Sequence, residues 1–138
     1  MCNICKTKPV FTLSSSEQLC KKCFFRYFEK KVRKTLRIHR LIDKGDRIGV
    51  AVSGGKDSLT VLDLLHSIYK ENQSVEIVAI LIDEGIKGYR DKSIEDAKSF
   101  CKKLSVPLHI ISYKDKHGFE LDEVIQGKKP CSVCGVLR

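Results

Sequence analysis

The fold is decided by one stretch, RIGVAVSGGKDS, which spans Arg47–Ser58. Its first half, Arg47–Val52, is a short run rich in β-forming residues, and two glycines with polar neighbours follow it. From Leu59 to Tyr69 the apolar residues then recur at helical spacing. A glycine-containing loop between a strand and a helix is the place where proteins bind phosphate groups, because the helix begins with free N–H donors.

Beyond this stretch, strand and helix patterns continue to alternate. Val75–Ile82 is a nearly continuous apolar run, as expected for a parallel strand covered on both faces. Asp91–Leu104 has helical spacing, and Pro107–Tyr113 reads as a third strand. The order β-α-β-α-β predicts an α/β fold with a doubly wound parallel sheet. Right-handed crossovers then put the ligand crevice at the carboxyl ends of the strands.

The loop chemistry favours a phosphate ligand. Two glycines allow close approach of the backbone to an anion, Lys56 adds a positive charge, and Ser53 and Ser58 add hydroxyl groups. Ser58 or Asp57 can cap the helix that follows. The loop is not a Walker A motif, which requires glycine where Val50 stands and Ser or Thr where Asp57 stands. It is not a dinucleotide fingerprint either.

The charge is concentrated at the front of the chain. The net charge of the 138 residues is +9, and residues 1–47 carry 13 Lys and Arg against four acids. Residues 24–42 read as a helix with a single acid, Glu29, so its unpaired positive charge predicts contact with a phosphate backbone. A solvated surface helix is the alternative. The residues predicted to make this contact are Arg26, Lys30, Arg33, Lys34, Arg37 and Arg40.

Six of the seven cysteines form three Cys-x-x-Cys pairs, which fits metal ligation in a reducing cytosol better than a disulfide framework. The first two pairs predict a zinc knuckle over residues 1–23, with four thiolates in a closed tetrahedral shell. Its ligands are Cys2, Cys5, Cys20 and Cys23. We therefore expect three segments, the knuckle, a basic linker helix over residues 24–46, and an α/β domain over residues 47–138. No apolar run approaches the length of a membrane span.

The third pair, Cys131 and Cys134, has three interpretations from its pattern alone. It can be a redox pair, one half of a zinc site, or an iron–sulfur or sulfur-handling site. Cys101 lies on the apolar face of a helix and is expected to be a buried small hydrophobe. Tyr89 and Arg90 either contact nucleic acid or begin the third helix.

The motifs together resemble known families. The hexapeptide SGGKDS resembles the PP-loop of the ATP pyrophosphatases, enzymes of Rossmann-like (HUP) fold that cleave ATP to AMP and pyrophosphate. The knuckle, this loop, and the stretches DEGIKGYRD (83–91) and CSVCGVLR (131–138) resemble the TtcA/TtuA family of tRNA 2-thiouridine synthetases, most closely its cytosolic wobble-uridine branch.

The resemblance implies a tRNA uridine 2-sulfurtransferase. ATP adenylates the C2 oxygen of the uridine, and sulfur then displaces AMP. Lys56, Asp57, Cys131 and Cys134 are the implied catalytic residues, with Asp57 near Mg²⁺ and the two cysteines holding a [4Fe-4S] cluster or a persulfide. The implied ATP-binding residues are Ser53, Gly54, Gly55, Lys56, Asp57, Ser58, Asp83, Gly85 and Arg138.

The resemblance also implies tRNA as substrate, a ubiquitin-like sulfur carrier or sulfide as sulfur donor, a homodimer, and a cytoplasmic location. Family members are about twice as long and carry a third cluster cysteine, which is missing here, so the sequence is expected to be a fragment that is inactive alone. Two alternatives remain, namely another PP-loop ATP pyrophosphatase and a zinc-knuckle module that binds tRNA without catalysis.

Overall fold

A computed structural model describes residues 1–71, 74–86, 88, 90–120 and 123. The chain divides into two compact units, Met1–Asp43 and Lys44–Arg138. Within the described residues, none of the helices combines the length and the apolar character that a membrane span requires.

The first unit is small and is built around its cysteines. Two short antiparallel strands, β1 (Phe11–Thr12) and β2 (Gln18–Leu19), pair Phe11 with Leu19, and α1 (Lys21–Ile38) follows. The buried residues at its centre are Cys2, Leu19, Cys20 and Cys23. A core that consists mainly of thiols buries little hydrocarbon, so a bound metal would have to supply most of its folding energy.

The boundaries of α1 differ from the predicted range, 24–42. The helix begins at Lys21, with Cys20 as its N-cap residue in extended backbone, so the second cysteine pair straddles the start of the helix. At the other end, Arg40 adopts φ +47. The Leu41 N–H then bonds the Leu36 carbonyl at 3.0 Å and the Arg40 N–H bonds that of Arg37 at 3.3 Å, which is a Schellman motif. Because this cap usually contains glycine, the sequence offered no stop signal before Asp43.

The second unit is the predicted α/β fold. Strands β3 (Arg47–Ala51), β4 (Glu76–Asp83) and β5 (Leu108–Ser112) form a parallel sheet in the order β3-β4-β5. The crossover helices are α2 (Lys56–Tyr69) and α3 (Arg90–Leu104). Both crossovers run in the same direction along the sheet, so right-handed connections put both helices on one face, where they contact each other.

The core of this unit lies between the sheet and the two helices. It is formed by the buried residues Val50, Val52, Leu62, Ala79, Leu81, Ala97, Cys101 and Val106. Cys101 is buried as predicted, and its burial raises the pKa of its thiol. The third strand is shorter than expected, because Tyr113 begins a short helix, α4 (Tyr113–His117), for which the Ser112 hydroxyl accepts a capping bond from the Lys114 N–H at 3.1 Å.

Candidate functional site

The loop that follows β3 is held in place by its backbone. Val52 is buried and its N–H donates to the Ile80 carbonyl at 2.8 Å, which keeps the chain beside β4 until the loop starts. Gly54 has φ +80, and a Cβ at this position would lie 2.3 Å from the carbonyl oxygen of Ser93 in α3. Only glycine combines this backbone conformation with so close an approach.

The two serines of the loop close it into a ring. The Ser58 hydroxyl accepts from the Ser53 N–H at 3.1 Å and donates to the Gly55 carbonyl at 3.0 Å, and the two hydroxyl oxygens lie 3.2 Å apart. Because the single proton of Ser58 goes to Gly55, Ser53 is the donor between the two hydroxyls. These bonds fix the shape of the loop.

Within the part of the chain that the structure describes, no side chain caps the N-terminus of α2. Its N-cap residue is Gly55, in extended backbone without a side-chain cap, so the expectation that Ser58 or Asp57 caps the helix was wrong. Ser58 bonds the loop instead. The first N–H groups of α2 therefore keep their hydrogen-bonding capacity, and the helix dipole adds to their attraction for negative charge.

Lys56 and Asp57 project into solvent from the first turn of α2. Their side chains are 90% and 92% exposed, and the Lys56 Nζ lies 3.3 Å from Asp57 Oδ1. An ion pair this exposed contributes little to stability. Both groups can therefore reorient, the ammonium toward a phosphate and the carboxylate toward a divalent cation, at low cost.

A cavity of about 270 Å³ adjoins the loop. The hydroxyl-bearing residues Ser53 and Ser58 lie on its wall. The remaining lining is mostly apolar and comprises Ala51, Val52, Ile80, Ile82 and Arg90. A cavity whose lining combines hydroxyl groups and a guanidinium with hydrocarbon suits a ligand that has both an anionic part and a less polar part.

The sequence did not single out Arg90 for this cavity. Arg90 is the first residue of α3 and is buried, which confirms the interpretation that it begins this helix. Its Nε lies 2.8 Å from Oε2 of Glu84, which is also buried, although the two atoms lack the alignment of a hydrogen bond. The sequence signal that could have revealed the pair is the opposite charge of Glu84 and Arg90, which stand at the two ends of the connection between β4 and α3.

Asp83 and Gly85 lie at the carboxyl end of β4 but do not line the cavity. The Gly85 N–H donates to Asp83 Oδ1 at 3.0 Å, which folds the chain back at the strand end. Gly85 has φ +76, and a Cβ there would lie 2.8 Å from Cβ of Glu120. Both residues shape the chain at the carboxyl ends of the strands, where the phosphate loop also lies.

The four cysteines of the first unit converge on one point. Their Sγ atoms all lie within 4.8 Å of one another, with Cys5 3.4 Å from Cys20 and 3.6 Å from Cys23. A tetrahedral site with Zn–S bonds of about 2.3 Å separates its sulfurs by about 3.8 Å. All four thiols are free of disulfides. The geometry and the soft donor set fit a closed zinc shell.

The pKa values of the thiols differ widely within the cluster. Backbone N–H groups, first that of Cys5, lower the pKa of Cys2, and hydrogen bonding with Thr7 and its neighbours lowers the pKa of Cys20 to about 6. Burial, together with the surrounding sulfurs, raises the pKa of Cys23 to about 12. The cluster therefore favours some thiolates but resists complete ionisation unless a dication neutralises it.

The positive charges of α1 form what we call the basic stripe. Each member lies three or four residues from another member, so the five lie on one side of the helix, all of them exposed, namely Arg26, Lys30, Arg33, Lys34 and Arg37. Phe24, Phe28 and Val32 lie on the opposite side. Glu29 pairs with Arg33 at 2.8 Å, and Arg40 lies in the C-terminal cap and not on the helix.

Three predicted site residues, Cys131, Cys134 and Arg138, lie outside the described residues, as does Tyr89. The structure therefore leaves the implied cluster ligands and the terminal basic residue as sequence-based predictions.

Several known proteins are similar to this chain. It is 38% identical over 128 residues to Cytoplasmic tRNA 2-thiolation protein 1 of Chlamydomonas reinhardtii, which covers 90% of this chain and 36% of the relative. It is 36% identical to a probable sulfurtransferase of Methanocaldococcus jannaschii, which covers 90% of this chain and 38% of that protein. The chain thus spans roughly two fifths of these relatives.

Among solved structures, the U34-tRNA thiolase NcsA from Methanococcus maripaludis with its [4Fe-4S] cluster is 37% identical, with a TM-score of 0.88 over 99% of this chain and 46% of the other. The NH3-dependent NAD synthetase from Campylobacter jejuni, 22% identical with a TM-score of 0.52, shares the fold. The relatives confirm the resemblance to the tRNA 2-thiolation proteins. Residues 26–127 match the PP-loop domain, and the chain belongs to the PP-loop domain family.

Proposed function

We propose that this chain is the ATP-binding and tRNA-binding part of a tRNA uridine 2-sulfurtransferase. The observation that carries the proposal is the phosphate loop closed by the hydrogen bonds of Ser53 and Ser58, with its uncapped helix N-terminus and its adjoining cavity, at the carboxyl ends of the strands. The thiolation proteins and the thiolase that the chain resembles supply the reaction.

The reaction proceeds in two displacements. The C2 oxygen of the uridine attacks the α-phosphorus of ATP, and the bond to pyrophosphate breaks. A sulfur nucleophile then attacks C2, the C2–O bond breaks, and AMP leaves with the oxygen. The first step is needed because a urea-like carbonyl oxygen is a poor leaving group until it carries a phosphoryl group.

The loop residues divide the binding of ATP among them. The backbone N–H groups around Gly54 and Gly55 and the start of α2 receive the phosphates, while Lys56 neutralises their charge. Asp57 has the oxygen ligands that Mg²⁺ prefers and the exposure to reach it. The apolar part of the cavity, around Ala51 and Ile80, suits the base.

The first unit is proposed to hold the tRNA. Zinc on the four cysteines fixes the start of α1, since Cys20 is its N-cap residue and Cys23 lies in its first turn. The metal has a structural role, because a closed four-thiolate shell leaves no open position for substrate. The basic stripe then contacts phosphates along the tRNA backbone.

The remaining proposals follow the relatives. Cys131 and Cys134 are proposed as ligands of a [4Fe-4S] cluster, by analogy with the Methanococcus thiolase, whose structure contains such a cluster. A ubiquitin-like sulfur carrier or sulfide is the proposed donor, a homodimer the proposed assembly, and the cytoplasm the proposed location. The wobble uridine is the proposed target, since the Methanococcus protein is a U34-tRNA thiolase.

Calorimetry with ATP and Mg²⁺ tests the central claim. We expect wild-type chain to bind ATP, and Lys56→Ala to weaken binding by about tenfold or more, because a charge-assisted contact to the phosphates is lost. Lys70→Ala, at the other end of α2, is the matched control and should bind normally.

A second measurement separates the proposal from its alternative. Filter binding of a tRNA transcript to the same preparations should show affinity that does not depend on Lys56. Binding of tRNA without any binding of ATP would replace the proposal with a tRNA-binding module that has no catalytic role.

A further inference from the structure

Glu84 and Arg90 form a buried ion pair beside the phosphate loop. Their side chains are 3% and 8% exposed, and Arg90 Nε lies 2.8 Å from Glu84 Oε2. The guanidinium also donates from Nη2 to the carbonyl of Ile82 near the end of β4. The pair thus ties the first residue of α3 to the C-terminal end of β4.

Stability alone gives a weak reason for this pair. Removing two charges from water has a large desolvation cost, and apolar residues of similar volume often give equal or greater stability. The same unit has a comparison pair, Arg47 and Glu76, which joins the N-terminal ends of β3 and β4 at 3.1 Å with side chains 64% and 57% exposed. The exposed pair avoids the desolvation cost that the buried pair incurs.

The consequence of the tie is the position of the first turn of α3. The Arg90 carbonyl accepts from the Ser93 hydroxyl at 2.9 Å, so Ser93 moves with Arg90. The carbonyl oxygen and Cβ of Ser93 lie directly against Gly54, where a Cβ would come within 2.3 Å and 2.8 Å of them. A shift of Arg90 would therefore move the surface on which the phosphate loop rests.

We propose that the Glu84–Arg90 pair positions the phosphate loop for the triphosphate of ATP. Arg90 acts through Ser93 on Gly54, so it is a positioning residue for nucleotide binding. The inference rests on the proposed ATP-binding function. The phosphate-loop motif, Ser53–Ser58, includes neither Glu84 nor Arg90, so the motif did not reveal them.

A direct role makes the opposite prediction for one variant. Arg90 also lines the cavity, so its charge could attract the phosphates by itself. In that case Glu84→Gln would strengthen ATP binding, because the neutralising carboxylate is removed. If the pair acts by positioning, the same variant weakens ATP binding, because the guanidinium loses its anchor.

The experiment compares four variants of the chain by calorimetry with ATP plus Mg²⁺ and with adenosine, each with a thermal unfolding curve. The variants are E84Q, R90K, the apolar pair E84L/R90M and the control pair R47M/E76L. We expect E84Q, R90K and E84L/R90M to lose about tenfold or more in ATP affinity, as a loop displaced by a fraction of an ångström loses its contacts to the phosphates. This tenfold loss corresponds to about 1.4 kcal/mol of binding free energy. The affinity for adenosine, which has no phosphates, should change by less than about twofold.

The unfolding midpoint of E84L/R90M should stay near that of wild type, since the apolar pair has no desolvation cost. The control pair should match wild type in both ligands. If E84L/R90M has no cooperative unfolding transition, it is not folded, and the ATP affinities of E84Q and R90K then decide whether the pair positions the loop. Unchanged ATP affinity in these variants, equal losses for ATP and adenosine, or tighter binding by E84Q would overturn the inference. Failure of wild-type chain to bind ATP would instead refute the proposed function, and the inference with it.

Discussion

Gly54→Ala gives the sharpest test of how the phosphate loop is built. Gly54 has φ +80, and its substituted Cβ would lie 2.3 Å from the carbonyl oxygen and 2.8 Å from the carbonyl carbon of Ser93. The obstacle is backbone of α3, which cannot rotate away as a flexible side chain would. Either the loop or the first turn of the helix must move by about 1 Å to reach normal contact distance.

Two costs add up at this position. An L-residue in the left-handed region costs about 1–2 kcal/mol, and relieving the overlap costs about 1–3 kcal/mol. The expected loss in the free energy of unfolding is therefore about 2–5 kcal/mol. Gly118→Ala is the matched control, because Gly118 also has φ +80 while no described atom lies within 4 Å of its added Cβ. Its free energy of unfolding should fall only by the cost of the left-handed conformation, about 1–2 kcal/mol.

Urea denaturation monitored by far-UV circular dichroism measures the stability of both variants. The chain has no tryptophan, so tryptophan fluorescence cannot serve as the probe. Calorimetry with ATP and Mg²⁺ measures the loop itself. A displacement of about 1 Å should weaken ATP binding by up to about 100-fold in Gly54→Ala. Gly118→Ala should bind as wild type does. Equal stability losses in the two variants, or normal ATP affinity in a folded Gly54→Ala, would refute the role assigned to the Gly54–Ser93 contact.

Two further predictions concern the first unit. Metal analysis should find one zinc ion on the knuckle cysteines and none there in Cys20→Ala, because three thiolates leave the shell open, whereas Cys101→Ala should keep the ion. On chelation, amide hydrogen exchange should lose protection in residues 1–43 and keep it in the parallel sheet, and protection that survives chelation would contradict a structural metal. Replacing Lys30, Lys34 and Arg37 with alanine should lower the slope of log tRNA affinity against log salt by about 0.7–0.9 for each lost phosphate contact. The same replacement at the exposed Lys92, Lys98 and Lys102 of α3 should leave the slope unchanged, and equal slopes in both triple variants would argue against the basic stripe.

The sequence predicted the parts of the fold that depend on local pattern. Strand, loop and helix around Ser53–Ser58 follow from β-rich and helical spacing on either side of two glycines, and the structure has them at nearly the same residues. The helix of the first unit was less well placed. Its end depends on a cap formed by Arg40 in a conformation usually left to glycine, and a cap of that kind has no residue signature.

The sequence by itself determined which groups are available, namely two glycines and two serines in a phosphate loop, four thiols at metal-ligand spacing, and a row of positive charges. These features are short-range and can be read from spacing alone. Only the tertiary structure decided how they are supported, with Ser93 against Gly54, Glu84 paired with Arg90, and Ser58 in the loop instead of the helix cap. Packing sets these contacts: it brings Ser93 against Gly54, which is distant in sequence, and it selects one partner for Ser58 and for Arg90 among the several that the sequence offers.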